Sequence, residues 1–463
     1  MMKNITELVL DSWQNTDGNV NTYEQILSWI NDKIAHTAVS VEETLLSQST
    51  NWFLDQDNGT IHNQNNSFFS VVGVKQLVND EVVAEQPMIL QPEIGYLGII
   101  VAEVDGVLNF LMQAKIEPGN INAVQISPTI QATKSNFMAK HGGKKPAYLD
   151  YFLNAKQHHV IYDQIQSEQS SRFYRKRNRN IIIKVDDDAE VLDNFRWMTL
   201  GQIKKMMSED NLINMDTRTV LSGLPFVTNT LTSDVRDWLQ YFNDQALGRS
   251  IFESNPGDYL PQLFQKLNDF KMFEATQTQL TSLLDIAGWE LTDKGVFSQQ
   301  QADFSVRQYQ ISIDGREITS WDQPLFVAEG IAELALLTRI HNGVREFLIK
   351  LQPEIGTVDH VEYGPTIQWE STKRGKPGDV VENLYVQQLS LNQGIQRQVM
   401  LSEEGGRFYH EQNLNIIMAV DDDAIPNLPD DYLWVNYSTL NYVMQVNNVL
   451  NIQLRNLISM IDL

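Results

Sequence analysis

Three features in the first half of the chain carry side chains whose types and spacing can do chemistry. The run Gln113-Ala114-Lys115-Ile116-Glu117-Pro118-Gly119-Asn120 reads as a strand end and a Pro-Gly turn. Period two delivers Gln113, Lys115 and Glu117 to one face. A glutamate beside a lysine can act as general acid or base, with the lysine tuning its charge. The same residues also suit an exposed, salt-bridged strand end, worth under about 1 kcal/mol. In the run from Gln125 to Asn136, residues Gln125, Ser127, Thr129, Gln131, Thr133 and Ser135 alternate into a polar face. Leaving it buried and unpaired would cost about 1–3 kcal/mol per group. It must therefore meet water, as a plain edge strand does, or a ligand rich in hydroxyls. The third feature is basic: Lys140-His141-Gly142-Gly143-Lys144-Lys145, and Arg172-Phe173-Tyr174-Arg175-Lys176-Arg177-Asn178-Arg179. Guanidinium groups hold phosphate oxygens in pairs, and a Gly-Gly turn lets backbone N–H groups approach an anion. The bland alternative is a solvated basic loop.

His141 stands alone, and its place beside the Gly-Gly turn makes it a proton-transfer candidate as well as a structural one. No His/Asp/Glu grouping has metal-ligand spacing, and there is no P-loop and no G-x-G-x-x-G. The triplets Asp186–Asp188 and Asp421–Asp423 lack a calcium-loop pattern and read as acidic turns.

Such a basic cluster matters because the chain as a whole carries a net charge of -24 over 463 residues. That field repels nucleic acid, anionic lipid and any nucleotide, so an anionic ligand needs a local cationic pocket. With 42% hydrophobic and 20% charged residues, the chain can build an ordinary globular core. No apolar run reaches membrane-spanning length. The start, MMKNITELVLDSW, has no apolar h-region, so no secretory signal is expected. The absence of cysteine removes disulfides, thiolate metal sites and cysteine nucleophiles. A cytoplasmic protein, binding neither nucleic acid nor membrane, is the simplest expectation.

The elements that must position these groups are written twice. Trp52 and Trp289, Glu117 and Glu354, Pro128-Thr129-Ile130-Gln131 and Pro365-Thr366-Ile367-Gln368, and Arg218 and Arg455 all lie 237 residues apart. Arg172-Phe173 and Arg407-Phe408, and the two Asp triplets, lie 235 apart. Collinear matches over such a period mark a duplicated domain rather than a solenoid. We delimit copy one at 1–232, a helical connector at 233–255 and copy two at 256–463. Residues 22–50 and 258–287 have helical apolar spacing. Short β-branched runs follow, and Asp105-Gly106 and Asn342-Gly343 suit type I′ hairpins. Each copy is thus expected to be α+β, with a mixed or antiparallel sheet flanked by helices. The basic cluster is largely lost from copy two, where Arg407-Phe408-Tyr409-His410-Glu411-Gln412-Asn413 stands instead. That asymmetry favours a functional role in copy one.

The runs QAKIEPGN, VQISPTIQATKSN, KHGG, SEQSSRFYRKRNRN and NMDTRTVLS resemble the NDP-hexose 2,3-dehydratases of deoxysugar biosynthesis, from Trp52 through Arg455. The resemblance implies two tandem Nudix-like domains in a homodimer. Both domains would be able to hold a sugar nucleotide, with one catalytic pocket per subunit, here in copy one. The Nudix hydrolase signature is missing, since Val399 and Met400 precede the echo Glu403-Glu404-Gly405-Gly406 where Arg and Glu are wanted. The implied reaction is an elimination on a dTDP-4-keto-6-deoxyhexose. A base takes the C3 proton, a donor steadies the enolate, and an acid protonates the departing 2-hydroxyl. The enol then gives a 3,4-diketo-2,6-dideoxy sugar nucleotide. No metal, redox cofactor or covalent intermediate is required, and an NADPH-dependent 3-ketoreductase would take the product. On this resemblance Glu117 or His141 moves protons, with Lys115. Lys115, Gln113, Gln125 and Gln131 donate to O4 and the hydroxyls, beside Asn120, Thr129, Thr133, Ser135 and Asn136. Arg172, Lys176, Arg177 and Arg179 hold the diphosphate, with Asn178 and Arg218 behind them. A Nudix-type nucleotide-sugar hydrolase and a non-catalytic sugar-nucleotide binder are the competing expectations.

Overall fold

The computed structural model describes residues 4–65, 68–137, 145–186, 189–226, 235–239, 242–314, 319–372 and 378–462. Each copy builds one large mixed sheet. In copy one the order is His159–Ser167, Arg177–Val185, Gly95–Val104, Val107–Ile116, Phe195–Thr199. The short strands Val124–Ser127 and Ile130–Ala132 add to Val107–Ile116 and Gly95–Val104. Arg177–Val185 runs parallel to Gly95–Val104, and its other neighbour is antiparallel. Copy two repeats the arrangement around Ala332–His341 and Val344–Pro353. The turn glycines and their partners take positive φ as type I′ requires: 49° and 80° at Asp105 and Gly106, 49° and 78° at Asn342 and Gly343.

The central strand reads as a continuous apolar run because both its faces are covered. Ile99 and Val101 pack with Leu8, Ile26 and Ile203 on one side. Ile100 and Ala102 pack with Leu149 and Phe152 on the other. The first helix, Ile5–Gln14, is pinned by Ser12, whose hydroxyl donates to the Leu108 carbonyl (2.5 Å) and accepts from the Leu200 N–H (2.8 Å). Ser250 repeats both bonds, to the Arg345 carbonyl (2.6 Å) and from the Tyr437 N–H (2.7 Å). Helix Gln245–Phe252, inside the stretch read as a connector, thus makes the contacts on copy two that Ile5–Gln14 makes on copy one.

The helical readings over 22–50 and 258–287 hold only in part. Helix Tyr23–Ala35, started by a Thr22 capping box, gives way to strand Val39–Glu43. Helix Leu260–Phe273 gives way to strand Thr276–Thr281. These two strands cross over. Val39–Glu43 pairs with Phe304–Ile313 of copy two, and Thr276–Thr281 pairs with Ser70–Val78 of copy one. Each copy thus completes the other's small sheet. The two small sheets share one apolar core, in which Trp52, Phe69 and Phe173 meet Phe304, Phe326 and Phe408. Among the described residues no helix is long and apolar enough to cross a membrane.

Candidate active site

Where the two copies meet, a cavity of about 730 Å³ opens. Strand Val107–Ile116 brings Gln113 and Lys115 to it, and Glu117 follows at the strand end. Period two holds here as expected. Lys115 Nζ lies 2.7 Å from Glu117 Oε1, and both side chains are mostly enclosed. Such a contact favours the ionised carboxylate. Gln131, from the short strand Ile130–Ala132, donates to the same Glu117 oxygen at 3.1 Å.

The orientation of the Gln131 amide is set from behind. Asn214 caps helix Met215–Ser222, its Oδ1 accepting the Thr217 N–H at 2.9 Å. Its Nδ2 is left to donate to Gln131 Oε1, at 3.1 Å. The Gln131 NH₂ must then face the cavity, where it also reaches Glu404 Oε1 at 3.3 Å. Glu404 belongs to copy two.

Copy two supplies that wall because its turn docks on the Pro118-Gly119 turn. The Gly119 N–H donates to the Gly405 carbonyl (2.7 Å), and the His410 N–H donates to the Gly119 carbonyl (2.9 Å). A Cβ on Gly119 would sit 1.7 Å from the Phe408 carbonyl oxygen, so only glycine fits. The docked turn carries Glu404 and Arg407 into the cavity, with Trp321 and Gln323 beside them. Arg407 stacks on Phe69 with its guanidinium carbon 4.3 Å from the ring centre.

The electrostatics are those of an enclosed polar site. Burial pushes the Lys176 ammonium down to about 8, against the opposing pull of Glu168 and Glu93. Burial, and then the Glu117 charge, push Glu404 up to about 7. Glu168 and Asp216 are also raised, chiefly by burial. Charges that change near neutral pH are suited to proton transfer.

The sequence-derived candidates divide. The structure brings Gln113, Lys115, Glu117, Gln131, Thr133, Ser135, Lys176 and Asn178 to this cavity, with Lys145. It does not bring the arginines of the basic run. Arg172 turns the other way, over the Phe304 ring at 4.0 Å and onto Glu370 at 3.0 Å, in the matching region of copy two. Arg179 is held by both oxygens of Asp163. Arg177 does not line the cavity. Arg218 is buried and donates to the Ser402 carbonyl at 2.7 Å. The polar strand face is interrupted at Pro128. Gln125 is enclosed and donates to Ser402 Oγ at 2.6 Å. Thr129 satisfies the Ile100 N–H (2.9 Å) and the Leu111 carbonyl (2.5 Å). Asn120 donates to the Ala123 carbonyl at 3.3 Å, behind the docked turn. His141 lies outside the described residues, as does the side chain of Asn136.

Sequence reasoning missed Glu404, Arg407, Glu168 and Asp216. The repeat alignment paired Arg407 with Arg172, but equivalence does not say which cavity a side chain enters. The two arginines are exchanged between copies, as the edge strands are. In the matching region of copy two, Asn451 donates to Gln368 (2.8 Å) and Gln368 to Glu354 (3.0 Å). The supporting amides persist there. Lys115, Lys176 and Glu404 are replaced by Gln352, Glu411 and Gln169.

Among the described residues no three His, Asp or Glu side chains converge as metal ligands. Two segments, residues 23–224 and 260–461, match the family model described as NDP-hexose 2,3-dehydratase. The chain is 33% identical to a dTDP-4-dehydro-6-deoxy-alpha-D-glucopyranose 2,3-dehydratase of Saccharopolyspora spinosa, over 93% of this chain and 89% of the relative. It is 32% identical to proteins of that name from Amycolatopsis orientalis (96% and 92% covered) and Streptomyces violaceoruber (93% and 95%).

Proposed function

We infer the chemistry of this cavity from one premise: the chain belongs to the NDP-hexose 2,3-dehydratase family. It is a sugar-nucleotide 2,3-dehydratase, a lyase that removes water. The hydrolase and binding-protein readings are not favoured. We take the substrate to be the dTDP-4-keto-6-deoxyglucose of the named relatives.

Lys176 and Arg407 are the cations we assign to the diphosphate, since both line the cavity. Glu117 removes the C3 proton, which the C4 ketone has made acidic. Its ion pair with Lys115 favours the carboxylate form, the state a base needs. Lys115 and Gln113 face the same space and steady the negative charge that develops on O4. Loss of the 2-hydroxyl then gives the C2–C3 enol, and tautomerisation gives the 3,4-diketone. The observation that carries this assignment is the convergence of the Lys115–Glu117 pair, Gln131, Lys176 and Arg407 on one cavity.

Family membership also supports a homodimer of Nudix-like domains acting in the cytoplasm. An NADPH-dependent 3-ketoreductase is the expected consumer of the reactive diketone. The test is incubation with dTDP-4-keto-6-deoxyglucose, such a reductase and NADPH, followed by mass spectrometry. A product lacking one oxygen, made only with the parent protein, is expected. Unchanged substrate would reject the reading.

A further inference from the structure

We propose that Glu404, supplied by copy two, is the acid that protonates the departing 2-hydroxyl in copy one's cavity. This rests on the elimination assigned above and adds the group that it leaves unnamed.

Two carboxylates face the cavity through a single amide. The Gln131 NH₂ gives one hydrogen bond to Glu117 and one to Glu404, both to Oε1, at 3.1 and 3.3 Å. Their surroundings differ in the way acid and base require. Glu117 has the Lys115 ammonium against it at 2.7 Å. Glu404 has neutral donors only, the Gln131 amide and the Gly406 N–H at 3.0 Å, both on Oε1. Its Oε2 has no hydrogen-bond partner among the described residues. That oxygen is the natural seat for a proton to be given away. Arg407 stands at the same wall and tempers the charge that Glu404 acquires after donating. Burial and the Glu117 charge, against the pull of Arg407 and Lys115, raise Glu404 to about 7, so a protonated form is available near neutral pH. Neighbouring carboxylates pushed apart in this way take opposite roles. Glu168 and Asp216 also line the cavity, but Glu168 is tied to Asn178 at 2.6 Å and Asp216 does not share the Gln131 amide. The matching region of copy two keeps the amide relay and Glu354 but has Gln169 where Glu404 stands. Glutamine cannot donate a proton in this way.

The step balances within the two carboxyl groups. The C3–H bond breaks, its proton passing to Glu117 and its electron pair into the C3–C4 enolate. That pair forms C2=C3 as the C2–O bond breaks, and the Glu404 proton leaves with the hydroxide as water. Glu117 returns its proton to C2, Glu404 takes the proton of the 3-enol hydroxyl, and both regain their starting states.

Solvent deuterium separates the half-steps. Parent protein, Glu404→Gln and Glu117→Gln are each incubated with dTDP-4-keto-6-deoxyglucose in D₂O. C3 deuterium in recovered substrate and loss of the 2-oxygen are read by mass spectrometry, with dTDP affinity measured by titration. Glu404→Gln is expected to bind dTDP as the parent does and to exchange C3 hydrogen, while elimination falls about 10²–10⁴-fold. Glu117→Gln is expected to lose both. Elimination at the parent rate by Glu404→Gln overturns the proposal, as does loss of exchange together with elimination while dTDP still binds. If that variant does not fold, Glu404→Asp decides: exchange with slowed elimination supports an acid here, and a parent rate rejects it. A parent protein that binds dTDP but neither exchanges nor eliminates refutes the elimination itself, and the proposal with it.

Discussion

The Gly119 N–H donates to the Gly405 carbonyl at 2.7 Å, tying the turn after Lys115 and Glu117 to the turn that bears Glu404 and Arg407. Together with the His410 N–H bond to the Gly119 carbonyl, this contact sets the distance between groups that lie nearly 300 residues apart in the chain. The fit leaves no room for a side chain.

Gly119→Ala should therefore lose stability by about 1–3 kcal/mol, the usual range for forcing extra volume into a packed site. It should also lose elimination activity beyond what stability explains, because the Glu404 wall must move. Denaturant unfolding and turnover at a temperature where the variant is folded check both. An alanine variant of parent stability would show that the docking is loose.

Arg407→Ala should weaken dTDP binding by about 30-fold or more, the scale for removing one partner of a largely enclosed charge pair. Arg177→Ala should leave it unchanged, although both side chains belong to stretches the repeat makes equivalent. Calorimetric titration distinguishes them. Equal losses would put the diphosphate elsewhere.

Glu403 and Glu411 give the fold a pH dependence of known sign. Burial, and then Glu411, raise Glu403 to about 8. Burial, with Glu370 adding to it, raises Glu411 to about 7. Both exceed the ordinary 4.5, so the folded chain holds protons that the unfolded chain has released. Stability due to them falls as pH rises from about 5 to about 8. Glu403→Gln, which keeps the shape but not the ionisation, should flatten the fall in melting temperature across that range. An unchanged slope would acquit these groups.

The exchanged strands predict that the halves depend on each other. Cut between Thr232 and Ser233, the N-terminal piece lacks the strand Thr276–Thr281 that pairs with Ser70–Val78, and the C-terminal piece lacks Val39–Glu43. Each expressed alone should aggregate or remain unfolded, while co-expression should give a soluble complex. Size-exclusion chromatography decides it, and a folded, monomeric half would refute the dependence.

The duplication, the two type I′ hairpins, the apolar central strands and the Lys115–Glu117 face were legible because each is a local pattern with a fixed period. The crossing of strands was not. Val39-Ser40-Val41 alternates as a strand should, but nothing local says that its partner is Ile311. The direction of Arg172, towards Phe304 and Glu370, is illegible for the same reason, since it depends on which copy the turn leans against. The face from Gln125 to Thr129 turns inward because Gln125 and Thr129 find protein partners there, in Ser402 and the Leu111 carbonyl. Partners so distant in sequence leave no signature in composition or spacing.

The traded arginines and edge strands also bear on recombination among relatives. A chimera that joins the N-terminal half of one enzyme to the C-terminal half of another would inherit a mismatched cavity. Its floor would come from one parent and the wall holding Glu404, Arg407 and Trp321 from the other. To transplant substrate preference, an engineer would have to move the turn at 404–407 and the strand Ser320–Ala328 along with the first half. The unit of inheritance for this chemistry is a patchwork of both repeats.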